Sequence, residues 1–157
     1  MNKKIPKATA QAMCWLKKMG IEVTRAKWQT SIYQFEYKGV LMLITIDSDN
    51  DNELSLNAPV FLRGESDEEN LKIFETAKFM TSETLNNFVV EYVCEELSYV
   101  GQVYVRPKHI RTLRRYQLVE MLEQILNAHD TFSLATLIAA APPETWFDEV
   151  AGAGSVG

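Results

Sequence analysis

Three aspartates alternate along one short polar run of the chain. Asp47, Asp49 and Asp51 stand in the segment DSDNDN, with the spacing at which a calcium loop of the EF-hand type begins. Such a loop also requires glycine at its sixth position and glutamate at its twelfth, where this chain has Asn52 and Ala58. Aspartate and asparagine are also common in tight turns. We therefore interpret the run as a solvated hairpin turn, with a weak cation site at the three aspartates as the alternative.

Basic residues are concentrated in the segment 106–115. They are Arg106, Lys108, Arg111, Arg114 and Arg115. A helical pattern begins at about this point, and cations at a helix start oppose the helix dipole at a cost of roughly 0.3 to 1 kcal/mol each. Several together indicate an anion nearby. The chain itself could supply it through Glu91, Glu95 and Glu96, or the segment could bind a phosphate, a nucleic acid or an acidic peptide.

Common catalytic motifs are missing from the sequence. There is no G-x-S-x-G elbow, no H-E-x-x-H and no P-loop. Of the two histidines, His129 is expected at the end of a long helix, where a cation suits the dipole. Cys14 and Cys94 lack the C-x-x-C spacing of zinc and redox sites. We expect a protein that is not an enzyme and that holds no cofactor.

An aromatic cluster lies in the first third of the chain, at Trp28, Tyr33, Phe35 and Tyr37. The last three alternate with polar residues, which predicts a half-buried strand with the rings on one face. Aromatic strand residues are favoured at binding interfaces. Core packing under a helix would explain them equally well.

The elements that position these residues follow from hydrophobic periodicity and from the turn and cap residues. Helical spacing covers 8–19, ending before Gly20, then 66–81 after a capping box of Ser66 and Glu69, and 118–126 with an extension toward 138. Strand patterns cover 28–37, 40–46, 54–60, 87–94 and 97–105. The predicted order is α-β-β-β-α-β-β-α, an α+β domain with helices packed on an antiparallel sheet.

Parts of the chain resemble bacterial YbjN-type domains, which are also described as type III secretion chaperone-like. The resemblance is carried by the strand ending at 35–39 (FEYKG), by a hydrophobic strand that runs into an Asp/Asn-rich turn, by Asn57-Ala58-Pro59, and by 77–85 (AKFMTSETL). It covers roughly residues 8–132. It implies a sheet with helices packed against it, frequent dimerisation, and a role in holding or regulating another protein.

Length and composition limit the remaining possibilities. The 157 residues, 46% of them hydrophobic, suit one domain, which we place at 1–141 with a flexible tail at 142–157. The formal net charge of −5 makes nucleic acid an unlikely main partner. Neither a signal peptide nor an apolar run of about 18 residues is recognisable, so we expect no membrane partner and a cytoplasmic location.

The strands themselves indicate how the protein acts. Apolar residues occupy both faces of 40–46 and of 89–105, and three helices are too few to cover both sides of a sheet. An uncovered apolar face favours a homodimer or a protein partner. We therefore predict a chaperone-like protein-binding module, with a regulator that contacts nucleic acid through 106–115 as the alternative.

Overall fold

The computed structural model describes residues 5–27, 30–46, 50–85, 88–93, 102–106 and 110–141. Its helices are α1 (Lys7–Lys18), α2 (Asp67–Thr81) and α3 (Arg115–Ala140). Its strands are β1 (Thr24–Arg25), β2 (Ile32–Tyr37), β3 (Val40–Thr45), β4 (Ser55–Asn57), β5 (Val60–Phe61), β6 (Val89–Val93) and β7 (Gln102–Arg106). The predicted α+β class and element order are confirmed, with β1 and β5 as two additional short strands. None of the helices in the described ranges is long and apolar enough to cross a membrane.

The strands form two antiparallel sheets, with the orders β1-β2-β3-β4 and β5-β7-β6. One polypeptide segment passes from the first sheet to the second, because β4 and β5 are separated only by Ala58 and Pro59. Proline has no backbone N–H to donate to a ladder. The strand predicted over 54–60 is thus divided at Pro59, and the single predicted sheet is two sheets.

Local residue choices account for the ends of these elements. Lys38 and Gly39 both have positive φ, at 48° and 81°, which is the backbone of a tight type I′ hairpin turn between β2 and β3. Gly20, with φ of 79°, follows α1 in the left-handed conformation that glycine adopts readily. Ser66 Oγ accepts a hydrogen bond from the Glu69 N–H at the start of α2. The Glu69 side chain accepts from Glu65 instead of Ser66, so half of the predicted capping box forms.

Two hydrophobic cores lie between the sheets and the helices. The first joins the first sheet to α1 and the N-terminal half of α3, and the second joins the second sheet to α2 and the C-terminal half of α3. Helix α3 therefore runs without a break across both, and the extension predicted toward residue 138 is part of this one helix. The predicted turn after residue 94 and the predicted tail at 142–157 lie outside the described residues.

Candidate functional site

Three of the five predicted basic residues are described with their side chains. Arg111 and Arg114 lie just before α3 and Arg115 is its first residue, and all three are exposed. Within the described ranges, no carboxylate lies within ion-pair distance of them. Lys108 and the side chain of Arg106 lie outside the described residues, as do Glu95 and Glu96.

Helix α1 holds the start of α3 in place through two side chains. Trp15 Nε1 donates to the Leu113 carbonyl oxygen at 3.0 Å, and Gln11 Oε1 accepts from the Leu113 N–H at 2.9 Å. Gln117 Oε1 in turn accepts from the Arg114 N–H at 2.9 Å, which satisfies a backbone donor at the beginning of α3. The backbone at 113–114 is therefore fixed relative to the indole ring of Trp15.

A shallow groove of about 660 Å³ lies where α1 contacts the start of α3. It is lined by Trp15, Arg114, Arg115, Tyr116 and Val119. Lys18 Nζ lies 4.9 Å from the centre of the Trp15 ring and adds a cation. We call these six residues the cationic aromatic groove. The sequence pattern identified Arg114 and Arg115 but not the aromatic residues, because Trp15 and Leu113 are 98 positions apart and no local signal connects them.

The aspartate run is only partly described. Asp47 and Asp49 lie outside the described residues. The Asp51 carbonyl oxygen accepts from the Ala8 N–H at 2.9 Å, and its carboxylate accepts from the Lys7 N–H at 3.3 Å. These N–H groups belong to the first turn of α1 and have no partner inside the helix. Asp51 therefore caps α1, and the cation site at Asp47, Asp49 and Asp51 stays a prediction.

His129 does not lie at a helix end. It lies eleven residues before the last residue of α3, and its Nδ1 atom is 3.2 Å from Asp130 Oδ1. The prediction that it caps the helix is wrong, because α3 continues through Phe132 as one helix. His129 instead lines a second cavity of about 350 Å³, between the segment 59–63 and the C-terminal half of α3.

The aromatic strand residues are mainly structural. Phe35 and Tyr37 are buried in the first core, and Tyr33 lies at its margin, where Arg25 Nη2 donates to the Tyr33 hydroxyl at 2.8 Å. Trp28 lies outside the described residues. Core packing therefore explains Phe35 and Tyr37 better than a binding platform does.

Tyr37 also connects β2 to α3 by a polar contact. Its hydroxyl donates to Glu123 Oε1 at 2.6 Å, and the Lys38 ammonium group donates to the same oxygen. Burial, together with the carboxylate of Glu123, raises the pKa of Tyr37 from 10.0 to about 12. The hydrogen bonds from Lys38 and Tyr37 lower the pKa of Glu123.

The helices all pack on the same side of the sheets, and we call the opposite side the outer face. Antiparallel partners share a face, so the register places Phe35 with Met42 and Ile44 with Leu56 beneath the helices. At the centre of the outer face a small buried cluster continues from the first sheet into the second. It consists of Ala26, Ile32, Leu43 and Tyr104.

Exposed apolar side chains on the outer face flank this cluster, because Leu41 lies two residues from Leu43 on β3 and the exposed Phe61 pairs with Gln102, two residues from Tyr104 on β7. Leu41 of β3 is 40% exposed and Val89 of β6 is 54% exposed. Polar residues lie between and beside them, namely Gln34, Glu36, Thr45, Ser55, Asn57 and Glu91. The outer face is thus mixed, not uniformly apolar as the strand sequences suggested, and its central apolar residues are largely shielded from water.

Residues 152–157 contain three glycines. Residues 152–157 read GAGSVG, which has the G-x-G-x-x-G spacing of dinucleotide-binding loops. Such a loop follows a strand of a βαβ unit, whereas the last described element before this segment is α3. The segment lies outside the described residues.

Comparison with known proteins gave one informative result. No protein-family model matches the chain, and no curated protein matches it significantly. The crystal structure of YbjN, a proposed transcription regulator from E. coli, is similar, with a TM-score of 0.58 and 14% sequence identity over 88% of this chain and 94% of that chain. At this identity the likeness concerns the fold. The resemblance inferred from the sequence is confirmed at that level: the chain has the YbjN-type α+β fold.

Proposed function

We propose that this protein is a cytoplasmic, non-enzymatic, chaperone-like binding module that acts as a homodimer and engages a protein partner through its outer face. The observation that carries the proposal is the one-sided packing of α1, α2 and α3. An antiparallel sheet tolerates water on one face. The outer face nevertheless presents Leu41 of the first sheet and Val89 of the second sheet to water among polar residues, a mixture typical of non-obligate interfaces.

Two further observations support a binding role. The described groups with shifted pKa values, Tyr37 and Glu123, bond to each other and connect a strand to a helix, which is a structural use of ionisable groups. The similar YbjN is described as a proposed transcription regulator, and regulators commonly act by binding other molecules. A regulatory binding module fits both observations.

The test compares two double variants that place charges on different sides of the molecule. Leu41→Lys with Val89→Lys charges the outer face, and Leu134→Lys with Leu137→Lys charges an exposed stripe of α3. Size-exclusion chromatography with light scattering gives the mass of each variant. Capture from the native cell, followed by mass spectrometry, gives its partners. Far-UV circular dichroism confirms that each variant is folded.

We expect the native protein to be a dimer and the outer-face variant to lose self-association, partner capture, or both. The α3 variant should retain both, because it leaves the outer face unchanged. A monomeric native protein would overturn the homodimer. Loss of partner capture in the α3 variant together with normal capture in the outer-face variant would overturn the assignment of the binding surface.

A further inference from the structure

We propose that the cationic aromatic groove binds single-stranded nucleic acid. This site is separate from the outer face, because it lies where α1 meets the start of α3 on the helical side of the molecule. The two proposals can therefore fail independently.

The positions of the arginines are the first step of the argument. Arg114 and Arg115 stand at the N-terminal end of α3, where the helix dipole is positive, and the first turn of α3 contains no acidic residue. Cations are unfavourable at this end of a helix. No carboxylate of the described ranges forms an ion pair with either arginine. Neither the helix dipole nor a carboxylate of the described ranges accounts for these two cations, whereas a bound anion does.

The aromatic residues are the second step. Tyr116 is 65% exposed, although a tyrosine that served only the core would be buried. Trp15 is partly buried and is held by its hydrogen bond to Leu113, so its ring has a fixed position beside Arg114 and Arg115. The exposed Tyr116 ring is a surface on which a base stacks, and it lies beside arginines that form no ion pair within the described ranges and that bind phosphates.

The shape of the groove and the charge around it identify the class of ligand. A single strand presents a phosphate and a flat base at every nucleotide, and this groove offers both kinds of partner within about 660 Å³. Lys17 and Lys18 extend the positive surface along the end of α1 in a protein whose formal net charge is −5. An acidic peptide would use the arginines but would leave the exposed Tyr116 ring without a stacking partner. A duplex keeps its bases stacked on each other and also leaves this ring unused.

The experiment measures binding of the full-length protein to a fluorescein-labelled 15-nucleotide oligo-dT and oligo-U by fluorescence anisotropy, at salt concentrations from 50 to 200 mM. Three variants are compared with the native protein. Arg114→Gln with Arg115→Gln removes two groove charges, and Tyr116→Ala removes one exposed ring. The matched control, Arg63→Gln with Lys72→Gln, removes two exposed charges elsewhere.

The charge and ring variants should differ in their salt dependence. Each phosphate contact on a single strand contributes about −0.7 to the slope of log K against log salt, so the double arginine variant should flatten the slope by about 1.4. Tyr116→Ala should weaken binding by about 5- to 150-fold, the equivalent of one lost base stack, and should leave the slope unchanged. The control should match the native affinity.

Four results would overturn the inference. The first is that neither oligonucleotide binds at 50 mM salt, and the second is that the control variant weakens binding as much as the groove variants do. The third is that a duplex of the same length binds with equal affinity. The fourth is that a glutamate-rich peptide displaces the oligonucleotide while Tyr116→Ala has no effect on binding. The last result would assign the groove to acidic peptides. All substituted side chains are exposed, so loss of the fold is not expected, and thermal melting checks this for each variant.

Discussion

The polar contact between β2 and α3 depends on the side chain of Glu123. It accepts hydrogen bonds from Tyr37 and from Lys38, two neighbours in the hairpin that are 86 and 85 positions away in sequence. Tyr37 is buried, so its hydroxyl needs a partner, and the partner is charged, which strengthens the bond. The same arrangement disfavours the tyrosinate and raises the pKa of Tyr37 to about 12.

The raised pKa of Tyr37 predicts how stability changes at alkaline pH. Because the folded protein keeps the proton above pH 10 and the unfolded chain releases it, this contribution is complete below pH 10 and is lost as pH rises toward 12. Tyr37→Phe should lower the free energy of unfolding at pH 8 by about 1 kcal/mol and should make the alkaline loss of stability shallower. Urea unfolding at several pH values measures both effects. Tyr116→Phe, which alters an exposed tyrosine, is the control, and an unchanged alkaline slope in Tyr37→Phe would contradict the prediction.

Among the elements, the β2–β3 hairpin is determined most directly by its turn. Lys38 and Gly39 adopt the two left-handed conformations of a type I′ turn. The register that follows pairs Tyr37 with Val40 and Phe35 with Met42. A slip of one residue would turn the aromatic face of β2 away from the core.

We therefore expect the loss of stability on replacing Gly39 to come only from its backbone conformation. A Cβ atom at Gly39 would meet no atom within 4 Å, so steric contact with neighbours contributes nothing. Gly39→Ala should destabilise the protein by about 1 to 2 kcal/mol, which is the penalty of the left-handed conformation. Gly39→Asn should cost less, since asparagine tolerates this conformation. Midpoints of urea unfolding at constant m-value give both numbers, and an alanine variant as stable as the asparagine variant would disprove the backbone explanation.

For the whole molecule, α3 is the element that joins the two cores. Its Leu118, Leu122 and Ile125 pack in the first core, while Ala128, Phe132 and Ala135 pack in the second. The helix is about 40 Å long at the usual rise per residue. Displacing α3 from one core would therefore also disrupt its packing in the other core.

This sharing predicts one cooperative unfolding transition. Leu122→Val in the first core and Phe132→Leu in the second should each lower stability by about 1 kcal/mol or more and should shift the same transition. Tryptophan fluorescence and far-UV circular dichroism should give coincident curves for both variants. Two separated transitions, with each substitution moving only one of them, would show that the cores unfold independently and would contradict the single domain predicted at 1–141.

Local features of the sequence were sufficient to predict most of the elements. The separation of the strands that end at 37 and begin at 40, the Ser66 cap and the end of α1 before Gly20 all depend on residues within a few positions of each other, and the structure shows each of them. The basic segment was also visible as a local cluster, and its Arg114 and Arg115 line the groove. These features are readable because backbone conformation responds to nearby side chains.

Contacts between distant residues were decided only by the tertiary structure. The amphipathic pattern of α1 does not show that Trp15 meets Leu113, nor does the β2 pattern show that Tyr37 meets Glu123. Leu43 and Tyr104 likewise lie in one buried cluster although they belong to different sheets. The physical reason is that such contacts arise when whole elements pack together, and packing depends on shape and volume summed over the core, which no short stretch of sequence contains.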